Sequence, residues 1–83
     1  MEKQIGRVTH YFGKAGVAAI ELEDTLNVGD RIHVKGHTSD WTQVVESMQV
    51  EGAVIERAER GQVIGIKVPD HAREHDVVYK VEG

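Results

Sequence analysis

Residues 17–22, Val-Ala-Ala-Ile-Glu-Leu, decide the fold, because the side chains at positions 18, 20 and 22 are all apolar. A period of two places these three side chains on one face of a strand. Further along the chain, residues 31–36 (Arg-Ile-His-Val-Lys-Gly) alternate in the same way, with Ile32 and Val34 on one face and charged or polar side chains on the other. Both stretches therefore predict β-strands that bury one face.

The composition of the whole chain favours strands over helices. The 83 residues include 13 valines and 6 isoleucines but only 2 leucines, and β-branched side chains fit a pleated sheet better than a helix. There are no cysteines, which excludes a disulfide framework and a cysteine-ligated zinc. A chain of this length has room for one domain, so we assign residues 1–83 to a single β domain.

Six strand-like segments are separated by short turns rich in glycine and aspartate. They span residues 5–12, 17–22, 31–36, 41–50, 62–68 and 77–81. Open sheet edges invite aggregation, and closure into a barrel removes them. We therefore predict an all-β fold, a small closed barrel of six mostly antiparallel strands.

Three local features carry further expectations. Val44 and Val45 are adjacent, interrupt the period of the fourth segment and predict a β-bulge there. Leu26 and Val28 are expected to lie beneath one end of the barrel. Residues 52–61 are the only stretch with helical spacing, and the two flanking glycines limit it to one turn at most.

The charge balance differs from that of most nucleic-acid-binding proteins. Ten basic against fourteen acidic residues give a net charge of −4 with histidine neutral, whereas such proteins usually carry a basic surplus. Residues 1–20 and 31–37 are each basic on balance, so a local basic face remains possible. The start has no signal-peptide pattern, and no apolar run approaches the about 20 residues of a membrane span. We expect a cytoplasmic protein without membrane contact.

Candidate catalytic and metal-ligating residues are few. Ser39 lies near His37 and Asp40, which together include the residue types of a nucleophilic triad, but neighbours within one hairpin rarely converge on a reacting atom. His71 and His75 are spaced for one face of a helix, yet the charged, proline-containing loop around them argues against a helix. We predict no catalytic residue, no metal ligand, no cofactor and no enzymatic activity.

One set of motifs resembles the barrel of translational GTPases. The set comprises Gly6-x-Val8, Leu26-x-Val28-Gly29-Asp30-x-Ile32, Val45-x-Ser47-Met48 and Ala58-x-x-Gly61-x-x-x-Gly65-Ile66. In this order the motifs resemble domain two of elongation factor Tu and its relatives. The resemblance implies contact with the aminoacylated end of tRNA or with ribosomal RNA, although no residue-level motif of that pocket is present.

A second set resembles a different family more closely. It comprises Thr9-His10-Tyr11-Phe12 and Lys35-Gly36-His37-Thr38-Ser39-Asp40-Trp41, with Val45-Glu46-Ser47-Met48-Gln49 behind them. These strings look like the C-terminal barrel of the collagenase-like peptidases, several of which are RNA or quinone hydroxylation factors. The large, cysteine-containing catalytic domain of that family has no counterpart in this sequence. The resemblance therefore implies a free-standing barrel to which the family's activity does not carry over.

Together these observations predict a non-enzymatic, translation-factor-like binding module that contacts tRNA or rRNA, or a translation or RNA-modification complex. Its contact residues would be Arg7, Tyr11, Lys35, His37 and Trp41. Tyr11 is expected to face outward, because it shares strand parity with Arg7. The alternative is a protein-docking subunit that pairs in trans with a separately encoded hydroxylase- or peptidase-like catalytic protein. The sequence leaves the oligomeric state open.

Overall fold

A computed structural model describes residues 1–82, which form ten strands and no helix. The strands are β1 (Glu2–Phe12), β2 (Val17–Leu22), β3 (Leu26–Asn27), β4 (Arg31–Lys35), β5 (Asp40–Val44), β6 (Met48–Val50), β7 (Ala53–Ile55), β8 (Arg57–Ala58), β9 (Val63–Lys67) and β10 (Val77–Val81). This part of the chain therefore contains no helical segment that is long and apolar enough to cross a membrane.

Eight of the strands form one sheet in the order β5-β4-β10-β1-β2-β9-β6-β7, and β3 pairs with β8 in a separate ladder. Every pairing between described strands is antiparallel. The predicted all-β, antiparallel class is confirmed. The six predicted segments are present, the fourth being divided into β5 and β6, and three short strands add to them. Among residues 1–82 no ladder joins β5 to β7, so backbone hydrogen bonds do not complete the circle.

One hydrophobic core lies on the inner face of the sheet. Its largest fully buried side chains are Ile5, Val8, Ile20, Leu22, Leu26, Ile32, Val34, Val45, Met48, Ile64 and Val78. They form a single cluster, so the sheet curves around one core rather than lying flat. Each buried aliphatic side chain of this size contributes roughly 1.5–3 kcal/mol relative to its exposed state, which makes this cluster the main source of stability.

Strand β1 contains a bulge that reverses which side chains face the core. Its pairing with β2 skips Thr9, because Val8 lies opposite Ile20 and the next paired residue is His10. One additional residue shifts the alternation by one position. Tyr11 therefore lies on the core side, half-buried and packed against the core. The prediction that Tyr11 faces outward is wrong, and the bulge is the reason.

The fourth predicted segment is divided rather than bulged. Val44 is 44% exposed and Val45 is 1% exposed, so the two adjacent valines point to opposite sides and the alternation continues through both. The chain leaves the sheet at residues 45–47 and re-enters it as β6. The predicted bulge at the two valines is therefore wrong, because regular alternation already accommodates both side chains.

Residues 52–61 form strands instead of the expected helical turn. Strands β6 and β7 make a hairpin through Glu51 and Gly52, whose φ angles of 50° and 81° are left-handed. Two left-handed residues are what a tight two-residue hairpin turn requires, and this pairing leaves no room for a helix.

Of the two residues expected beneath one end of the barrel, Leu26 is fully buried as predicted, whereas Val28 is exposed.

Candidate functional site

Three connecting segments meet at one end of the sheet, which we call the loop end: residues 13–16, 36–39 and 68–76. They meet because successive antiparallel strands return the chain to the same end. Residues 9–12 and 35–41, the two strings of the collagenase-like resemblance, run into this end. The structure thus brings these two distant parts of the sequence together around a third.

The 68–76 loop is fixed to β1 next to the bulge. The Val8 amide donates to the Asp76 carbonyl at 2.8 Å, and the His75 amide donates to the Val8 carbonyl at 2.9 Å. These bonds hold His75 at a φ of 76°, a left-handed conformation that costs a non-glycine residue roughly 1–2 kcal/mol. The loop is therefore held in one conformation by specific contacts.

The Asp76 side chain organises the same loop from inside. Asp76 is 3% exposed, and its Oδ2 accepts a hydrogen bond from the Arg73 amide at 2.9 Å. The Asp76 amide donates in return to the Arg73 carbonyl at 3.1 Å. A Cβ atom at Gly36 would overlap the Asp76 carboxylate. Only glycine therefore lets the 36–39 turn pack against this part of the loop.

Side chains of the 36–39 turn also bond to the loop. The Ser39 hydroxyl donates to the His71 carbonyl at 3.5 Å, and Arg73 Nε donates to Thr38 Oγ1 at 2.8 Å. Ser39 is buried and its hydroxyl bonds to backbone, whereas His37 is exposed. Ser39 and His37 are consequently not arranged as a nucleophile and its base.

Aromatic contacts complete the loop end. The rings of Tyr11 and His71 lie with centroids 4.3 Å apart at an interplanar angle of 33°. The rings of His10 and Phe12 meet edge to face at 4.4 Å. Such pairs contribute roughly 0.5–1.5 kcal/mol beyond the area that they bury. The Tyr11 contact is the link between the first string and the 68–76 loop.

An open cleft of about 370 Å³ lies between β1 and this loop. Its walls include His10 and Tyr11 on one side and His71, Arg73 and Glu74 on the other. Aromatic rings beside a guanidinium group can hold an apolar or aromatic side chain next to a carboxylate. Because the cleft is open to solvent, it suits a protruding part of a macromolecule better than an enclosed small molecule.

Two of the predicted contact residues lie on the outer face of the sheet. Arg7 and Lys35 both pair with Val77, one from each side, so one strand separates them. Glu21 pairs with Arg7 on the far side, and Asp40 pairs with Lys35. This transverse row therefore contains two basic and two acidic residues and has no excess of positive charge.

The other three predicted contact residues flank the loop end. His37 is exposed there, and Tyr11 stacks on the loop as described above. Trp41 pairs with Val34, is half-buried against the core, and donates from Nε1 to Gln43 Oε1 at 2.8 Å. The five residues thus form two groups, and only His37 is a fully exposed member of the loop end.

Sequence reasoning missed Thr38, His71 and Arg73 as parts of this surface. The last two lie in a charged loop without strand periodicity, and their positions depend on contacts with residues more than thirty positions away in the chain. One available signal was Gly36, since a glycine directly after a strand can mark a close backbone approach.

The groups with shifted pKa values lie outside the cleft. A hydrogen bond of 2.5 Å to Asp24 raises the pKa of Lys3, and the same bond lowers the pKa of Asp24. On the outer face, a hydrogen bond to Asp40 raises the pKa of His33 and lowers that of Asp40. Within residues 1–82 no three histidine, aspartate or glutamate side chains are arranged to hold a metal ion.

The chain is similar in sequence to one part of larger proteins. It is 40% identical over 77 residues to an uncharacterized protease of Methanocaldococcus jannaschii, covering 92% of this chain and 19% of that protein. It is 35% identical over 80 residues to a collagenase of Porphyromonas gingivalis, covering 94% of this chain and 22% of that protein. The chain thus spans about a fifth of the length of these curated relatives. No family model matches it.

The fold has a solved counterpart in the C-terminal domain of a putative U32 peptidase of Geobacillus thermoleovorans. The crystal structure of that domain aligns with a TM-score of 0.90 at 23% identity, covering 96% of this chain and 93% of that chain. The chain has the fold of a U32 peptidase C-terminal domain. A selenomethionine variant of the same domain gives a TM-score of 0.87. These comparisons support the collagenase-like resemblance and not the link to domain two of elongation factor Tu.

The prediction that the chain is not an enzyme is contradicted by its relatives, which are named protease and collagenase. The prediction rested on the lack of a nucleophile and base within 83 residues. That argument concerns one small domain, whereas the named activities are those of proteins about five times longer. The chain is similar to one part of proteins that are named protease and collagenase.

Proposed function

We propose that this barrel works with a peptidase-family catalytic unit, in the same polypeptide or in a separate one, and docks onto it through the loop end. Relatives that match more than nine-tenths of the chain are named protease or collagenase, and the match covers about a fifth of each. In proteins of that kind, the barrel lies beside a much larger unit and must present a surface to it.

The convergence of both motif strings on the 68–76 loop carries this proposal. Tyr11 of the first string stacks on His71, and Thr38 of the second accepts a hydrogen bond from Arg73. Tyr11 itself packs against the core, but the other partners in these contacts lie outside it, because Thr38, His71 and Arg73 are all exposed. Exposed side chains held in place by a rigid scaffold are typical of a preorganised binding surface.

The residue types at the loop end fit a protein partner. Tyrosine and arginine are enriched among the residues that dominate binding energy at protein interfaces, and Tyr11 and Arg73 line the same cleft. Aromatic rings beside a guanidinium group can bind an apolar side chain that has a carboxylate next to it. We therefore expect the docked segment to combine an aromatic or aliphatic residue with an acidic neighbour.

Contact with tRNA or rRNA through this surface is the competing hypothesis. The net charge of −4 and the balanced row containing Arg7 and Lys35 provide little attraction for a phosphate backbone, on which affinity for nucleic acids mainly depends. Docking to protein is accordingly the function that we propose, and RNA contact is an outcome that the following experiment distinguishes.

Site-specific photo-cross-linking in the cells that make the protein tests the proposal. Benzoylphenylalanine is placed at the position of His37, at the loop end, or at that of Val54, which is 71% exposed on β7. We expect the His37 position to cross-link to peptides of a peptidase-family catalytic unit, identified by mass spectrometry. The Val54 position is the matched control and should give a much lower yield.

A pair of arginine variants sharpens the test. Arg73→Ala should lower the cross-link yield from position 37 several-fold, whereas Arg60→Ala, an exposed arginine outside the loop end, should leave the yield unchanged. Nuclease-sensitive adducts at position 37 would favour RNA contact instead. Equal cross-linking from positions 37 and 54 would contradict docking through the loop end.

A further inference from the structure

The sheet has a gap between β5 and β9, which we call the seam. A cleft of about 270 Å³ occupies it, lined by residues 43–47 of the chain leaving β5 and by Ile66 and Lys67 of β9. In the part of the chain that the structure describes, β5 pairs only with β4 and ends the sheet order. The seam therefore separates two strand edges that no backbone ladder joins within the described residues.

Strand β9 has one complete edge and one incomplete edge. On the complete edge all five of its residues pair with β2, whereas on the other edge, among residues 1–82, only Gly65 is paired, with Gln49 of β6. The Val68 amide donates to the Gly16 carbonyl and therefore points toward the β2 edge. Neighbouring residues of a strand direct their backbone groups to opposite edges. The Lys67 carbonyl therefore points away from β2 and into the seam.

A side chain occupies the position of a missing strand partner there. Gln43 Nε2 donates to the Lys67 carbonyl at 2.8 Å, and Gln43 Oε1 accepts from Trp41 Nε1 at 2.8 Å. Paired strands lie about 4.8 Å apart and bond through their backbones directly, whereas here a side chain stands between the two strands. A carboxamide has the same donor and acceptor groups as a peptide bond, so the seam already satisfies one carbonyl with a peptide-like group.

We propose that the seam accepts an extended segment of another polypeptide as an additional strand, with one of its backbone amides replacing the Gln43 carboxamide on the Lys67 carbonyl. Addition of a strand to an unpaired edge is a common mode of peptide recognition. Val45 and Ile66, both buried, form the inner wall of the cleft, so the segment places an apolar side chain inward and polar ones outward. This inference does not depend on docking through the loop end.

A pair of synthetic peptides tests the proposal on the unmodified chain. The probes are acetyl-Thr-Val-Thr-Val-Thr-amide and the same peptide with N-methylated valines, which keeps the side chains but removes two backbone donors. Trp41 is the only tryptophan, and its indole N–H bonds to Gln43. Its fluorescence therefore reports displacement of the Gln43 side chain by the peptide. We expect saturable binding of the first peptide, with NMR amide shifts at residues 43–47, 66 and 67, and at least tenfold weaker binding of the second.

Glutamine variants provide a second measurement. Gln43→Ala removes the internal competitor and is expected to tighten binding of the unmethylated peptide about fivefold, since one hydrogen bond contributes about 1 kcal/mol. Gln4→Ala, which truncates an exposed glutamine on β1 outside the cleft, is the matched control and should leave peptide binding unchanged. Equal binding of the two peptides, or shifts that avoid the seam, would overturn the proposal without any variant having to fold.

Discussion

Nε2 of His33 lies 2.5 Å from Oδ1 of Asp40, and Nδ1 of the same ring lies 2.9 Å from Oε2 of Glu2. An ionised carboxylate can only accept hydrogen bonds, so both ring nitrogens donate and the imidazole carries both protons. The hydrogen bond to Asp40 is the main cause that raises the pKa of His33; burial opposes the rise and Glu2 adds to it. One protonated ring thus connects strands β1, β4 and β5.

This contact predicts a stability that declines above neutral pH. Because the folded pKa of His33 is raised, its contribution is complete below the ordinary value of 6.5 and is lost as the pH rises through the folded value. The pKa of Asp40 is lowered mainly by the same hydrogen bond, so its contribution is complete above 3.8 and is lost in stronger acid. The contributions of His33 and Asp40 to the stability of the fold are therefore both complete between about pH 4 and pH 6.5.

Asp40→Asn provides the measurement. We expect the NMR titration midpoint of the His33 ring to move down toward 6.5, and the urea midpoint to depend less on pH above about 6. Glu51→Gln, which removes one exposed carboxylate far from His33 in sequence, is the control and should leave the His33 midpoint in place. An unchanged midpoint in Asp40→Asn would show that the ion pair is not formed in solution.

Gly36→Ala is expected to destabilise the fold, because its Cβ would overlap the buried Asp76 carboxylate. Forcing additional atoms into a packed site costs typically 1–3 kcal/mol, and chemical denaturation measures this as a lower midpoint. Gly13→Ala is the matched control, since a Cβ there would meet only the Tyr11 ring at 3.7 Å, an ordinary contact. Similar losses in both variants would argue against the tight contact between residues 36 and 76.

The sequence predicted the strands well, because their signal is local. In β2 and β4 the period of two alone identifies the buried residues, and Ile20, Ile32 and Val34 are all in the core. The helical expectation for residues 52–61 failed because the left-handed turn at Gly52 and the pairing of β7 with β6 determine that segment. Spacing of apolar residues does not carry that information.

The candidate site was less predictable, because it depends on contacts between distant residues. Parity predicted an outward Tyr11, but the additional residue Thr9 in the bulge turned it inward, and a single-residue bulge leaves no hydrophobic signature. His71 and Arg73 are positioned by bonds to the 36–39 turn and by contacts with Tyr11 and Asp76. The motif strings singled out two segments, and the fold was needed to show that both contact the 68–76 loop.

Ile20→Ala should be among the most destabilising single substitutions. Ile20 is 0% exposed in the centre of the core cluster, and truncating a buried isoleucine to alanine typically costs 2–5 kcal/mol. Val54→Ala removes an aliphatic side chain that is 71% exposed and should change the free energy of unfolding by less than about 0.5 kcal/mol. Urea denaturation of both variants tests whether one core stabilises the domain.

Tyr11→Ala should lower protection more in the 68–76 loop than in the core strands, although Tyr11 also packs against the core. The Tyr11 ring stacks on His71 at 4.3 Å, and aromatic pairs contribute roughly 0.5–1.5 kcal/mol, so local opening should become up to about tenfold more frequent. Hydrogen exchange measures the frequency of this opening at the amides of Arg73 and His75, which donate to Asp76 and Val8.

Tyr11→Phe keeps the ring and is the matched control, so exchange at these two amides should stay close to that of the unmodified chain. Amides of β9 provide the internal reference, since that strand belongs to the core. If Tyr11→Ala accelerates exchange in β9 as much as in the loop, the ring stabilises the whole barrel rather than the loop. A loop-restricted effect would show that the aromatic contact preorganises the surface proposed for docking, because ordering that surface before binding lowers the entropic cost of association.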